Sequence, residues 1–144
     1  MVRVGIGLYG VGKDKNLKVI GKLVSNLAQI RRLKKGEAVG YDASFVAENE
    51  MKIAIIPLGY ADGINRKLGN GKGEVLINNS SAKIIGKISM DSFMVDISGI
   101  TAKEGDLVIV FGKENSVVVI AKNLDTIAYE ILATLNRRIK RIYQ

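Results

Sequence analysis

The sequence predicts a mainly β domain, a small barrel or sandwich, closed by one short C-terminal helix. Three observations predict it. Short runs rich in Val and Ile recur from residue 36 onward, each bounded by Gly, Asn, Asp or Pro, which is how strands alternate with turns. The apolar period turns helical near the end, where Ile127, Ile131, Leu132 and Leu135 share a face. No apolar run reaches the roughly 18–20 residues that span a bilayer.

Taken in order, residues 2–9 (VRVGIGLY) read as a short strand ending at Tyr9-Gly10, and the Gly- and Lys-rich residues 10–16 read as a loop and the only candidate boundary. Residues 17–35 fit two patterns. Ile20, Leu23, Val24, Leu27 and Ile30 make a helical face, whereas Leu17, Val19, Leu23 and Leu27 make an interrupted strand alternation; pattern alone leans to helix. KKGEAVGYD is a turn followed by a strand. MKIAIIPL is a strand ended near Pro57 and the turn Ala61-Asp62-Gly63. GEVLI and AKIIGKI flank the polar cluster Asn78-Asn79-Ser80-Ser81 as a hairpin. FMVDI, DLVIVFG and SVVVIA are further strands, with Lys113-Glu114-Asn115 as another hairpin loop. Asp125 is placed to cap a helix over residues 126–136, and the basic tail Arg137, Arg138, Lys140 and Arg141 follows its C-terminal end, where cations meet the favourable end of the dipole.

The chain has 144 residues, 47% hydrophobic and 25% charged, enough for one domain with a core of its own. It has no Cys, which excludes disulfides and thiolate metal sites and fits a cytoplasmic protein. MVRVGIGLYG lacks the long apolar stretch and cleavage site of a signal peptide. There is no His, so acid–base chemistry near neutral pH falls to a less usual proton carrier such as tyrosine. No Asp/Glu cluster suggests a metal.

The net charge is +8. Much of it falls in the tail and in residues 13–35, where Lys13, Lys15, Lys18, Lys22, Arg31, Arg32, Lys34 and Lys35 face only Asp14. A free-standing basic β-domain that binds nucleic acid is one reading. No aromatics interleave with these runs and Trp is absent, which argues against a single-strand platform. An acidic neighbouring domain explains part of the excess better.

Four short motifs carry polar or reactive side chains: Tyr41 in VGYDASF, Tyr60 in PLGYADG, Met90-Asp91 in GKISMDSF and Tyr129 in DTIAYE. Singly, each has a plain structural explanation. Tyr41 fits a strand face, Tyr60 and Asp62-Gly63 fit turn packing, and Met90 fits core filling. GIGLYGVG has the wrong spacing for a dinucleotide loop.

In sequence order, RVGIGLYG, GEAVGYDASF, IPLGYADG, IIGKISMDSFMVDI, GDLVIVFG and DTIAYEILATLNRRIKRIY resemble the C-terminal part of the alanine racemase family, the fold-type III, pyridoxal-phosphate-dependent racemases. The resemblance covers nearly the whole chain and turns the reading of residues 17–35 from helix to strand. It implies that residues 1–12 are the last strand and loop of an N-terminal (β/α)8 barrel lying outside this sequence, and residues 13–144 a C-terminal β-domain. It implies an enzyme that interconverts L- and D-alanine for peptidoglycan synthesis. The cofactor is held on a barrel lysine that no lysine here matches, so this chain alone is expected to be inactive. Two subunits pair head to tail, each β-domain completing the other's site. A racemase of serine or another small amino acid, and a non-catalytic assembly module, are the neighbouring alternatives.

Residue by residue, the resemblance gives Tyr41 the role of the base on one face of the substrate, opposite the barrel lysine. A free tyrosine is almost wholly protonated at neutral pH, with a pKa of about 10, and needs nearby positive charge to act as a base. Met90 matches a residue whose backbone amide meets the substrate carboxylate, with Asp91 beside it. Tyr60 matches a tyrosine that narrows the way into the site. Arg3 matches the arginine on the pyridine nitrogen, where a guanidinium cannot give up a full proton and so weakens the electron sink. Gly5, Ile6 and Tyr129 match the phosphate contacts. The chain departs from the family at Val4 and Lys140, where Pro is usual, and at Asp42, where Gly is usual. A carboxylate at residue 42 aimed at the Tyr41 hydroxyl would raise that tyrosine's pKa, but strand alternation points it away.

Overall fold

A computed structural model describes residues 1, 5–12 and 16–143. Its centre is a single antiparallel sheet of seven strands in the order β1-β9-β6-β7-β8-β5-β2. The strands are β1 (Leu23–Asn26), β2 (Gln29–Leu33), β5 (Met51–Ile56), β6 (Glu74–Ile77), β7 (Ser80–Ile85), β8 (Phe93–Asp96) and β9 (Leu107–Phe111). β3 (Ala38–Val39) and β4 (Phe45–Val46) form a separate small hairpin. Two short helices follow, α1 (Val117–Asn123) and α2 (Ala128–Ala133).

The sheet curls because its two end strands are one bent run of chain. Leu27, buried at the bend, donates its amide to Asp106 O at 2.9 Å, and Ala28 donates to Ile55 O at 2.9 Å. β1 therefore pairs with β9 while β2 pairs with β5. β7 makes the opposite corner. Its first part, through Lys83, pairs with β6, and Ile84 and Ile85 pair with β8. The β6–β7 turn is tight, with Asn78 and Asn79 both at positive φ (49° and 62°). That is the twist a two-residue hairpin needs and asparagine tolerates.

Alternation fills the interior. Val75, Ile77, Ile84, Phe93, Val95 and Val108 point inward and are essentially inaccessible, each contributing about 1.5–3 kcal/mol of burial. The outer face of β5, β7 and β8 is covered too. Ile53 and Ile85 pack with Leu33 and Ala47, under Phe45 of the small hairpin.

Several expectations are corrected. SVVVIA is not a strand. Ser116 caps α1 by accepting the Val118 amide at 3.2 Å, and Val117, Ile120 and Ala121 bury one helical face. The β-branched run misleads because Val and Ile favour strands on average, while spacing and cap favour a helix here. Lys113-Glu114-Asn115 is accordingly no hairpin loop but the approach to α1. Asn115 is buried and donates to Val110 O (2.8 Å) and Glu74 O (3.2 Å). The final helix is Ala128–Ala133 rather than 126–136, with Ile127 rather than Asp125 at its start; Asp125 sits at φ 56°. Ile6–Tyr9 is a 3-10 turn rather than strand, and residues 2–4 of the expected strand lie outside the described residues. Residues 17–35 hold strands, as the resemblance implies and against the helical lean of pattern alone. No helix among the described residues is long and apolar enough to cross a membrane.

Candidate active site

Residues 86–91 form the spine of the site. Tyr60 donates its amide to Ser89 O and Ala61 donates to Met90 O, both at 3.0 Å. Gly59 lies so close to the Met90 carbonyl that any Cβ there would overlap it, so this position requires glycine. Among the described residues none accepts from the Met90 amide, and the Met90 side chain is exposed.

Tyr41 hangs on the same spine. Gly40, at φ 81°, releases the chain from β3 into a 3-10 turn, Tyr41–Ala43. Ser44 Oγ accepts the Lys87 amide at 2.9 Å, and Lys87 Nζ reaches Asp42 Oδ2 at 2.6 Å. Tyr41 is therefore on a pinned turn and not on a strand face, and the residue is 64% exposed. Asp42 and Ala43 take positive φ (57° and 47°), a conformation in which the glycine usual at residue 42 in the resembled family sits without strain. Asp42 turns to Lys87. The Lys87 ammonium, by hydrogen bond and charge, holds the Asp42 carboxyl below the ordinary carboxylate range.

Behind Tyr60 the turn is locked. Asp62 is buried, and its Oδ2 accepts the Gly59 amide at 2.9 Å. Arg138 donates from Nε to Asp62 Oδ1 (2.6 Å), from Nη2 to Asp62 Oδ2 (3.0 Å), and from Nη2 to Asp91 Oδ1 (2.9 Å). The Arg66 guanidinium lies 5.6 Å from the Tyr60 ring centroid, within range of a cation–π contact. A cavity of about 390 Å³ opens between this turn and the two helices, its wall mostly apolar with Arg66 and Glu130 as charged lining. Tyr41, Met90 and Asp91 do not line it.

A second group stands apart from the spine. The Ile6 amide donates to the Tyr129 hydroxyl at 2.5 Å, and a Cβ on Gly5 would overlap that hydroxyl. Glycine, a backbone amide and a phenol thus converge at one point. α2 carries Tyr129 there, its first turn braced by a Thr126–Glu130 hydrogen bond. Arg3 lies outside the described residues, as do Val4, Lys13, Asp14 and Lys15.

The structure brings Tyr41, Tyr60, Met90 and Asp91 onto one spine, and Gly5, Ile6 and Tyr129 onto another point. Sequence reading did not single out Lys87, and it placed Arg138 in the basic tail and closing motif without a site role. Both act through partners far along the chain, at separations of 45 and 76 residues, and no local pattern signals such pairs. Part of the basic tail is turned inward: besides Arg138, Arg141 donates to the carbonyls of Leu135, Asn136 and Ile139.

Comparison with known proteins gives this geometry its family. The family model "Alanine racemase, C-terminal domain" matches residues 20–143. The chain belongs to the alanine racemase C-terminal domain family. Alanine racemase of Helicobacter acinonychis (strain Sheeba) is 44% identical over 155 residues, covering 99% of this chain and 41% of that protein. Alanine racemase of Clostridium novyi (strain NT) is 40% identical, covering 99% and 40%. Among solved structures, alanine racemase from Bartonella henselae with covalently bound pyridoxal phosphate superposes with a TM-score of 0.91 at 38% identity, covering 97% of this chain and 40% of that one. Alanine racemase from Clostridium difficile 630 superposes at 0.90 with 37% identity, covering 100% and 40%. This alanine racemase C-terminal domain therefore spans about two-fifths of the length of the curated relatives it matches.

Proposed function

We propose that this domain is the C-terminal part of a pyridoxal-phosphate-dependent alanine racemase, and that Tyr41 is one of its two bases. The observation that carries the reading is the shared spine: the turn bearing Tyr41 and the turn bearing Tyr60 are both hydrogen-bonded to residues 87–90, next to a Met90 amide with no acceptor among the described residues.

Each residue has a physical task. Tyr41, exposed on a pinned turn, takes or returns the α-proton on one face of the amino acid. Its counterpart on the opposite face is a lysine from the preceding part of the longer protein. Protons exchanged on opposite faces invert the α-carbon. The Met90 amide holds the substrate carboxylate by hydrogen bonding. Tyr60, backed by Arg66, walls the approach and keeps the substrate small. Lys87 holds Asp42, so that this carboxylate is directed away from a free role beside Tyr41.

The convergence of Gly5, the Ile6 amide and the Tyr129 hydroxyl fits a phosphate monoester, which such donors hold well. Pyridoxal phosphate, when bound, supplies the electron sink that makes the α-hydrogen acidic. Arg3 is assigned to its ring nitrogen. On this reading residues 1–12 belong with the preceding barrel and residues 13–144 with the β-domain. Head-to-tail pairing of two subunits brings one subunit's Tyr41 spine to the other's phosphate site, and a cytoplasmic supply of D-alanine for peptidoglycan is the setting.

The test uses the full-length protein loaded with pyridoxal phosphate, with L-alanine, L-serine and L-lysine compared by chiral chromatography. Turnover fastest on alanine supports the proposal. Faster turnover on serine or lysine moves the substrate assignment, and turnover on none overturns it.

A further inference from the structure

Arg138 stands near the candidate site, and the proton-transfer reading gives it no role. Its guanidinium joins two elements that must stay in register. One is the Tyr60 turn, through both oxygens of buried Asp62; the other is the Met90–Asp91 segment, through Asp91 Oδ1. The Asp62 side chain is 6% exposed and the Asp91 side chain 59%. The inner carboxylate is therefore the anchor and the outer one the group being held. Asp62 also accepts the Gly59 amide, and its carbonyl accepts the Asn136 amide at 3.1 Å. The Asp62 end of the clamp is thus tied to backbone at two points.

The charge matters as much as the position. Asp91 directly follows the Met90 amide that the proposed reading gives to the substrate carboxylate. A carboxylate left unpaired there would repel the substrate's own carboxylate, since like charges a few ångströms apart oppose each other even near solvent. No other described cation lies within ion-pair distance of Asp91. A planar guanidinium can serve two carboxylates at fixed geometry, which a lysine ammonium does less well.

We propose that Arg138 is a positioning residue for the amino-acid carboxylate: it fixes Met90–Asp91 against the Tyr60 turn and offsets part of the Asp91 charge, so that a carboxylate ligand is accepted at the Met90 amide. The inference rests on the racemase reading given above and adds a residue to it.

The experiment uses the full-length, cofactor-loaded protein with Arg138→Met, Arg138→Lys, and Arg138→Met combined with Asp91→Asn. Two quantities are read: the KM/kcat split on alanine, and the Kd of propionate, a carboxylate of matching size that has no amine and undergoes no chemistry. Arg138→Met should raise KM and the propionate Kd by about tenfold or more, the scale of a lost charge-assisted hydrogen bond, with kcat falling less. Adding Asp91→Asn should lower the propionate Kd again, because the repelling charge is gone. Where Arg138→Met fails to fold, Arg138→Lys carries the test, with severalfold weaker propionate binding expected. Unchanged KM and propionate Kd, or no recovery on adding Asp91→Asn, overturns the inference. An inactive wild-type protein instead overturns the racemase reading, so the two failures are distinguishable.

Discussion

Arg138 grips Asp62 through both carboxylate oxygens, at 2.6 and 3.0 Å. That fork is the largest cause holding the Asp62 carboxyl below the ordinary carboxylate value; burial opposes it, and the Gly59 amide adds to it. A carboxyl whose pKa is lower folded than unfolded stabilises the fold above its unfolded value, and that contribution is lost as pH falls through the folded value. Asp62→Ala should therefore lower stability by about 2 kcal/mol at pH 7, with the Gly59 amide left unsatisfied. The gap between variant and wild type should narrow only below about pH 4. Thermal melts of the protein from pH 7 to pH 3 check this.

Gly59→Ala should act on the site more than on the core. The added Cβ meets the backbone of Met90 and Asp91, and backbone gives way only by moving. A displacement approaching 1 Å at the substrate carboxylate contact should lower kcat/KM by roughly a hundredfold. Steady-state kinetics on alanine read the effect.

The turn at Tyr41 makes an opposite pair of predictions. Asp42→Gly suits the positive φ of 57° and should leave racemisation within about threefold of wild type, since only an exposed ion pair is lost. Asp42→Val puts a β-branched residue where such residues are strained and should cost about tenfold or more by misplacing Tyr41. Equal effects of the two substitutions would contradict the pinned-turn account.

Ser116→Ala should destabilise the protein by about 1 kcal/mol, whereas Ser116→Gly should cost only a few tenths, the difference expected for a helix cap. Hydrogen exchange at the α1 amides is the direct readout.

The strands were legible because their signal is local. β5, β8, β9 and the β6–β7 hairpin all announce themselves by alternation and by Asn78-Asn79. α1 was not, because Val117, Val118, Val119 and Ile120 carry strand propensity while the helical evidence, the Ser116 cap and the Val117/Ile120/Ala121 face, is sparse. At the site, the tyrosines and Met90-Asp91 stood out through their motifs. Asp62 read as ordinary turn chemistry because its partner Arg138 lies 76 residues away, and the Asp42–Lys87 contact that pins the Tyr41 turn likewise joins residues far apart in sequence.

The central claim is that Tyr41 moves the α-proton on one face only. Full-length, cofactor-loaded Tyr41→Phe protein, incubated with each alanine enantiomer in deuterated water, tests it most directly. Racemisation should fall by about 10²–10⁴-fold, the usual contribution of a positioned acid–base group, while solvent deuterium should still enter the α position of one enantiomer without inversion and should not enter that of the other. Wild-type racemisation by the variant, or equal exchange into both enantiomers, would contradict it.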